Sequence, residues 1–260
     1  LHKMGIDKAE FTPPDQTGRV HVYQQNGVIQ RNAMGQKVTP NESALWGSLD
    51  TLKKYDIVVL PCRGGSSGPS GANPNVMIDY GNAGGRLFAT HYSYTWLTWM
   101  LKTAQDGYPV GTLPIWDGDL DTRPMNADRA EGFPSLIDRA TDKGKAFYAW
   151  LEIVGALNGA REGDIDIISF RSDLKSIDPP GNRYIYTEAG KPTQTVQQFD
   201  LGMPWTAQPA GQCGKVAFSD FHVAGTDNLT DKDLFSADNC NNQPLKPQEK
   251  VLEFLLFDIA

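Results

Sequence analysis

The sequence predicts an α/β fold, a three-layer sandwich with a mostly parallel central sheet, helices on both faces and a small antiparallel extension. Three observations predict it. Asp56-Ile57-Val58-Val59-Leu60 is a short continuous apolar run, the composition of a strand buried on both faces. Gly84 to Leu97 reads as a second buried strand, a sharp turn at His91 and the start of a helix. Around these runs amphipathic stretches alternate with apolar ones. That β-α-β-α order implies parallel strands joined by right-handed crossovers.

The elements follow in order. Arg19 to Tyr23 alternates and is rich in β-formers, so it reads as a strand, and Gly27 to Asn41 is a polar connection. Pro40-Asn41-Glu42-Ser43 opens a helix to about Tyr55, with Leu45, Trp46, Leu49 and Leu52 at helical spacing. The strand Asp56 to Leu60 runs into Pro61-Cys62-Arg63-Gly64-Gly65 and a Ser/Gly/Pro loop to about Asn73. Asn75 to Ala83 is a short helix stopped by Gly84-Gly85. Arg86 to Thr90 is a strand and Ser93 to Thr103 a helix. Thr112 to Met125 is an acidic loop, and Ser135 to Leu157 a long helix with Leu136, Ile137, Ala140, Phe147, Trp150, Leu151 and Val154 in its apolar stripe. Asp164 to Arg171 and Gly214 to Val223 read as strands. Arg183 to Thr187 and Gln194 to Leu201 form an antiparallel hairpin turning at Gly190, and Pro247 to Ile259 is an amphipathic closing helix. The expectation is one domain over 1–260 with an inserted hairpin at 183–201.

Composition narrows the partners. Of the 260 residues, 21% are charged and 40% hydrophobic, which suits a folded globular chain. A net charge of −7 argues against nucleic acid or an anionic membrane as the main partner. No apolar run approaches the roughly 18 residues of a membrane-spanning helix. The chain opens at Leu1, and Leu1-His2-Lys3-Met4-Gly5-Ile6 resembles the tail of a helix cut short, so a piece of a longer precursor is expected. Of the three cysteines, Cys213 precedes a strand and Cys240 lies in an Asn/Asp-rich loop. A disulfide between them would close that loop, contribute roughly 3 kcal/mol and favour an extracytoplasmic setting.

Three segments resemble the class I glutamine amidotransferase-like fold, a flavodoxin-like sandwich, and especially its trehalose-utilisation-protein-like branch. Asp56 to Pro61 is similar to the strand entering the glycine-rich oxyanion loop. Gly84 to Leu97 is similar to the strand-elbow-helix unit, and Gly214 to His222 to the late strand that delivers a histidine near the elbow. Amidotransferases carry a cysteine at the elbow; here the position falls on His91, as in the trehalose-utilisation-like branch. Cys62 replaces the glycine after Pro61, and no Glu follows His222 at the spacing of a Cys-His-Glu triad. A glutaminase is therefore not expected, because the thiolate is missing from its activating position. The segments YDIVVLPCRGG, GGRLFATHYSYTWL and GKVAFSDFHV also resemble an uncharacterised domain of large secreted bacterial proteins, which implies an extracellular or surface-attached setting.

Cys62, His91 and His222 are expected at the carboxyl ends of neighbouring strands, where ligands collect in open α/β sheets. One reading is a thiol–imidazole pair, with Cys62 activated by His91 or His222 and an oxyanion hole from the amides of Gly64, Gly65 and Tyr92. A second is a metal site of the two histidines, the thiolate and Asp220. A third is a polar cluster beneath a vestigial pocket. Asp117, Asp119 and Asp121 alternate as calcium ligands do, although no EF-hand glycine follows; calcium is the one cofactor suggested. Asp227, Asp231 and Asp233 form a second acidic loop beside the sequon Asn228-Leu229-Thr230. Trp96, Trp99, Trp116, Tyr92, Tyr94 and Tyr108 cluster around the elbow and the following loop. Trp96 fits the core and Trp116 a binding surface.

The functional expectation is a secreted, non-catalytic binding or structural module that keeps the fold's pocket without its nucleophile. Its partner would be a carbohydrate, a surface protein or another copy of itself. The alternative is a hydrolase using Cys62 or Asp220 with His91 and His222, with or without a metal.

Overall fold

The computed structural model describes residues 1–24, 38–63, 71–103, 115–116, 133–159, 163–168, 170–171, 174–177, 181–187, 195–222 and 244–259. Its centre is a seven-stranded sheet with helices on both faces. Two short strands, β1 (Phe11–Thr12) and β2 (Val20–His21), pair in parallel with each other outside that sheet. The strand expected at Arg19 to Tyr23 therefore exists only in part and does not open the main sheet.

The helix expected from Ser43 to Tyr55 is two short pieces, α1 (Ser43–Trp46) and α2 (Leu49–Leu52), broken at Gly47-Ser48. The apolar spacing survives the break: Trp46 and Leu52 are buried, and Leu45 and Leu49 pack against the same cluster. Next come β3 (Ile57–Leu60), α3 (Pro74–Asn82) and β4 (Arg86–Thr90). Asn73 caps α3 by accepting from the Asn75 amide at 3.0 Å. Gly84 ends it at φ 100°, a left-handed value that suits glycine. After β4 a single 3-10 turn at His91–Ser93 leads into α4 (Tyr94–Thr103).

The second half departs further from expectation. The region Ser135 to Leu157 is not one helix. Its beginning belongs to β6 (Phe133–Ile137), which follows the short strand β5 (Ile115–Trp116). Phe133, Ser135 and Ile137 are buried while Pro134 and Leu136 are not, a period of two rather than 3.6. α5 (Asp142–Ile153) starts only where the Thr141 hydroxyl accepts from the Gly144 amide at 3.0 Å. Then follow β7 (Ile165–Ile167), β8 (Leu174–Ser176), β9 (Asn182–Tyr186), β10 (Val196–Met203), β11 (Gly214–Ser219) and α6 (Pro247–Ile259). β5 and β8 pair antiparallel as a separate small sheet.

Strand order in the large sheet is β3-β4-β11-β10-β9-β6-β7. Pairing is parallel between β3 and β4 and between β4 and β11, and antiparallel at the other four junctions. The sheet is therefore mixed and not mostly parallel, and antiparallel pairing holds four of its six junctions rather than a small extension. Connection length decides two of these junctions: from Tyr186 to Val196, and from Met203 to Gly214, the chain is too short for the crossover of a dozen or more residues that parallel neighbours need.

α1 to α4 cover one face over Trp46, Leu52, Met77, Tyr80, Leu87, Trp96 and Phe218. α5 and α6 cover the other over Phe147, Leu151, Phe170, Phe221 and Val251, with Phe88, Ala217, Leu255 and Ile259 beside them. Each buried Phe or Leu contributes about 1.5–3 kcal/mol. Among the described residues no helix is long and apolar enough to cross a membrane.

Candidate functional site

The parallel register brings the ends of β3, β4 and β11 to one rim, since Leu60 lies beside Ala89 and Ser219 beside Thr90. Antiparallel pairing brings the start of β10 to the same rim, where the Asp220 amide donates to the Gln197 carbonyl at 2.8 Å. Each tip is then tied down. The Ser93 hydroxyl donates to the Pro61 carbonyl at 2.5 Å, fastening the elbow to the residue before Cys62. Arg63, just after Cys62, makes a two-armed contact with the Glu42 carboxylate at 3.1 and 3.3 Å. Beyond β11, Phe221 bridges Phe170, and the Arg171 amide donates to the Asp220 carbonyl at 2.7 Å. Gln248, in the first turn of α6, donates to the His222 carbonyl at 2.7 Å while exchanging bonds of 2.7 and 3.0 Å with the Ile168 backbone.

His91 has φ 49°, the one left-handed non-glycine among the described residues. This is the sharp strand-to-helix turn that presents a side chain at the top of a sheet, at a backbone cost of order 1–3 kcal/mol. The side chain it presents is buried, with 1% of its surface exposed. Nδ1 lies 3.2 Å from the Cys62 Sγ, and the ring stacks on His222 at 4.0 Å between centroids with a 39° tilt. Tyr92 meets the ring edge-on at 4.7 Å, and the Arg171 guanidinium sits over the Tyr92 ring at 4.2 Å. The other ring nitrogen, Nε2, is buried without a hydrogen-bond partner.

The electrostatics follow from burial. His91 is pushed down to about 2 by burial, then by the neighbouring His222 and Arg171. His222 is also lowered, by burial. Both rings are neutral at neutral pH. Buried polar side chains concentrate at this rim: Thr90, Ser93, Arg171, Thr195, Gln197 and Asp220. Burying polar groups is costly unless they are hydrogen-bonded, which sets this rim apart from the apolar core below it.

Of the predicted residues, the structure brings together Cys62, His91, His222 and Tyr92. Asp220 is fully buried at the tip of β11, but its carboxylate is not in the group formed by the thiol and the two imidazoles. Trp116 lies in β5, its backbone paired with Leu174, rather than in an open loop. Trp96 is in the core, edge-on to Trp46 at 5.9 Å. Gly64 and Gly65, the loop of Asp117, Asp119 and Asp121, and the second acidic loop with its sequon all lie outside the described residues. So does Cys240; the exposed Cys213 thiol meets the Asn82 carbonyl at 3.4 Å. Sequence reasoning missed Arg171, Gln197 and Gln248. A Gln in the first turn of a helix and an Arg at a strand end carry no local signal, since both act through partners far along the chain.

No protein-family model matches the chain, and comparison with curated proteins returns no relative. A solved structure with distant similarity is cytoplasmic protein STM3548 from Salmonella typhimurium. It is 12% identical, with a TM-score of 0.39, over 80% of this chain and 74% of that one. A likeness of that degree carries no argument about family or activity.

Proposed function

We propose that the chain is a binding module whose ligand site is the strand rim at Cys62, His91, Tyr92, Arg171 and His222, and that it does not use a cysteine nucleophile. One observation carries this reading: the elbow presents a buried, neutral imidazole where a nucleophile would stand, with the thiol on the neighbouring strand. An activated thiol needs its partner imidazole to take up the proton and hold positive charge. Burial, His222 and Arg171 all oppose that charge on His91. An amidotransferase-like ancestry is supported by the order of the three segments and by the meeting of their tips, and a pocket without its nucleophile is what such an ancestor would leave.

The second reading, a thiol hydrolase, is favoured by the 3.2 Å contact between Cys62 and His91. Alkylation with iodoacetamide across a pH series, resolved by peptide, separates the two. The binding reading expects Cys62 to react with the inflection of an ordinary thiol, using exposed Cys213 as internal reference, and expects no Cys62-dependent ester hydrolysis. A Cys62 inflection shifted toward neutrality, together with hydrolysis abolished in Cys62→Ser, would establish the hydrolase instead.

A further inference from the structure

The geometry points to a zinc-type divalent metal site at this rim, with the Cys62 thiolate and one ring nitrogen each of His91 and His222 as donors and a fourth position open to a ligand. It rests on the reading of the rim as a binding site and names what is bound. Among the described His, Cys, Asp and Glu residues, these three form a group whose donor atoms all lie within 4.8 Å of one another. Zinc bonds of about 2.3 Å to sulfur and about 2.0–2.1 Å to nitrogen set tetrahedral donors roughly 3.3–3.6 Å apart. Cys62 and His91 already stand at 3.2 Å. The widest pair, no more than 4.8 Å apart, closes by side-chain movement of up to about 1.5 Å.

The donor chemistry selects the ion. One thiolate and two imidazoles suit zinc or copper and not calcium or magnesium, which take oxygen. Imidazole coordinates through the lone pair of a neutral ring nitrogen. On binding, the Cys62 S–H bond breaks as the sulfur–metal bond forms, and the proton leaves to solvent. The two rings give lone pairs, and nothing is oxidised or reduced. The segments beside Cys62 and His222 are held in advance: the Pro61 carbonyl by Ser93, the Arg63 side chain by Glu42, and the His222 carbonyl by Gln248. With Asp220 outside the group, three protein donors remain, the composition of a metal site that keeps a position for exchangeable ligand.

The test titrates cobalt(II) chloride into the untagged, reduced, chelator-treated full chain. One equivalent should produce a thiolate-to-cobalt charge-transfer band in the near ultraviolet and the visible bands of four-coordinate cobalt, both removed by zinc(II). Cys62→Ser should lose the charge-transfer band; Cys213→Ser and Cys240→Ser should keep it. His222→Gln, at a half-buried position, should weaken cobalt binding by more than the roughly 10–100-fold that loss of an outer-shell partner costs. Circular dichroism of the metal-free variants checks folding, and His222→Gln decides the matter if Cys62→Ser does not fold. Absence of the band in the native chain, or its survival in Cys62→Ser, overturns the metal site. With an ordinary Cys62 alkylation profile, that result leaves the binding pocket standing for another ligand. Cys62-dependent hydrolysis would remove the pocket reading as well.

Discussion

His91 concentrates three costs in one residue: a left-handed backbone, a fully buried imidazole and an unpartnered nitrogen. They can be separated. Asn tolerates the left-handed region, whereas a β-branched residue does not. His91→Asn should therefore fold, and His91→Val should be less stable than His91→Asn by about 1–3 kcal/mol. Differential urea unfolding checks it, and equal stabilities would show that the turn is unstrained. The buried ring also makes stability depend on pH. The unfolded chain takes up a proton at His91 near the ordinary value of 6.5, whereas the folded chain resists it down to about 2. Stability is thus fully present above about 6.5 and falls on acidification below it, by at most about 1.4 kcal/mol per pH unit for this ring. Melting of chelator-treated protein between pH 7 and 5 should show a shallower decline in His91→Asn. Parallel declines would refute the assignment.

Among the elements, α6 does more than close the fold. Its apolar stripe of Val251, Phe254, Leu255 and Ile259 is legible from spacing, with Phe254 only partly buried, and its bounds agree with the expected Pro247 to Ile259. Its clamp is not legible. Gln248 is 5% exposed and satisfies the Ile168 amide, the Ile168 carbonyl and the His222 carbonyl together. Gln248→Ala removes all three bonds and should destabilise the chain by about 1–3 kcal/mol. It should also loosen His222, so cobalt affinity should fall by roughly 10–100-fold. Unchanged affinity in a folded Gln248→Ala protein would mean that the rim is held without α6. Misreading Ser135 to Leu157 has the same root. Leu136 and Ile137 are compatible with either period, and pairing of Leu136 with Tyr186 and of Ile137 with Ile185 made them strand.

Across the molecule, a second, half-buried polar cluster centred on buried Asp200 lies on the face covered by α5 and α6. Asp200, on β10, accepts from Asn182 at 2.7 Å, Tyr184 at 2.9 Å and Lys143 at 3.1 Å. Asp258 of α6 binds Lys143 at 2.6 Å and Lys215 at 3.2 Å, closing a network of two carboxylates and two ammoniums. Burial opposes charge at both lysines. At Lys143 the carboxylates outweigh it and raise the pKa, whereas burial and the neighbouring Lys143 lower that of Lys215. Asp200→Asn leaves two cations to one carboxylate and should cost about 3–5 kcal/mol in urea unfolding. Lys145→Ala, which breaks only the exposed pair with Asp142, should leave the unfolding midpoint essentially unchanged. Similar losses in the two variants would show that the network is not effectively buried.

The sequence by itself determined the local units: the apolar strands near Asp56, Arg86 and Gly214, the α3 cap, the elbow at His91 and the closing helix. Each is encoded by neighbours within a few residues, in the spacing of apolar side chains and the placement of glycine and capping groups. Tertiary structure alone decided that four of the six strand junctions run antiparallel, that β1 and β2 stand outside the main sheet, and that Arg171, Gln197 and Gln248 serve the rim. Those outcomes depend on hydrogen bonds and ring contacts between residues far apart in the chain, and such pairings form only once the burial of the apolar faces has fixed which strand lies beside which.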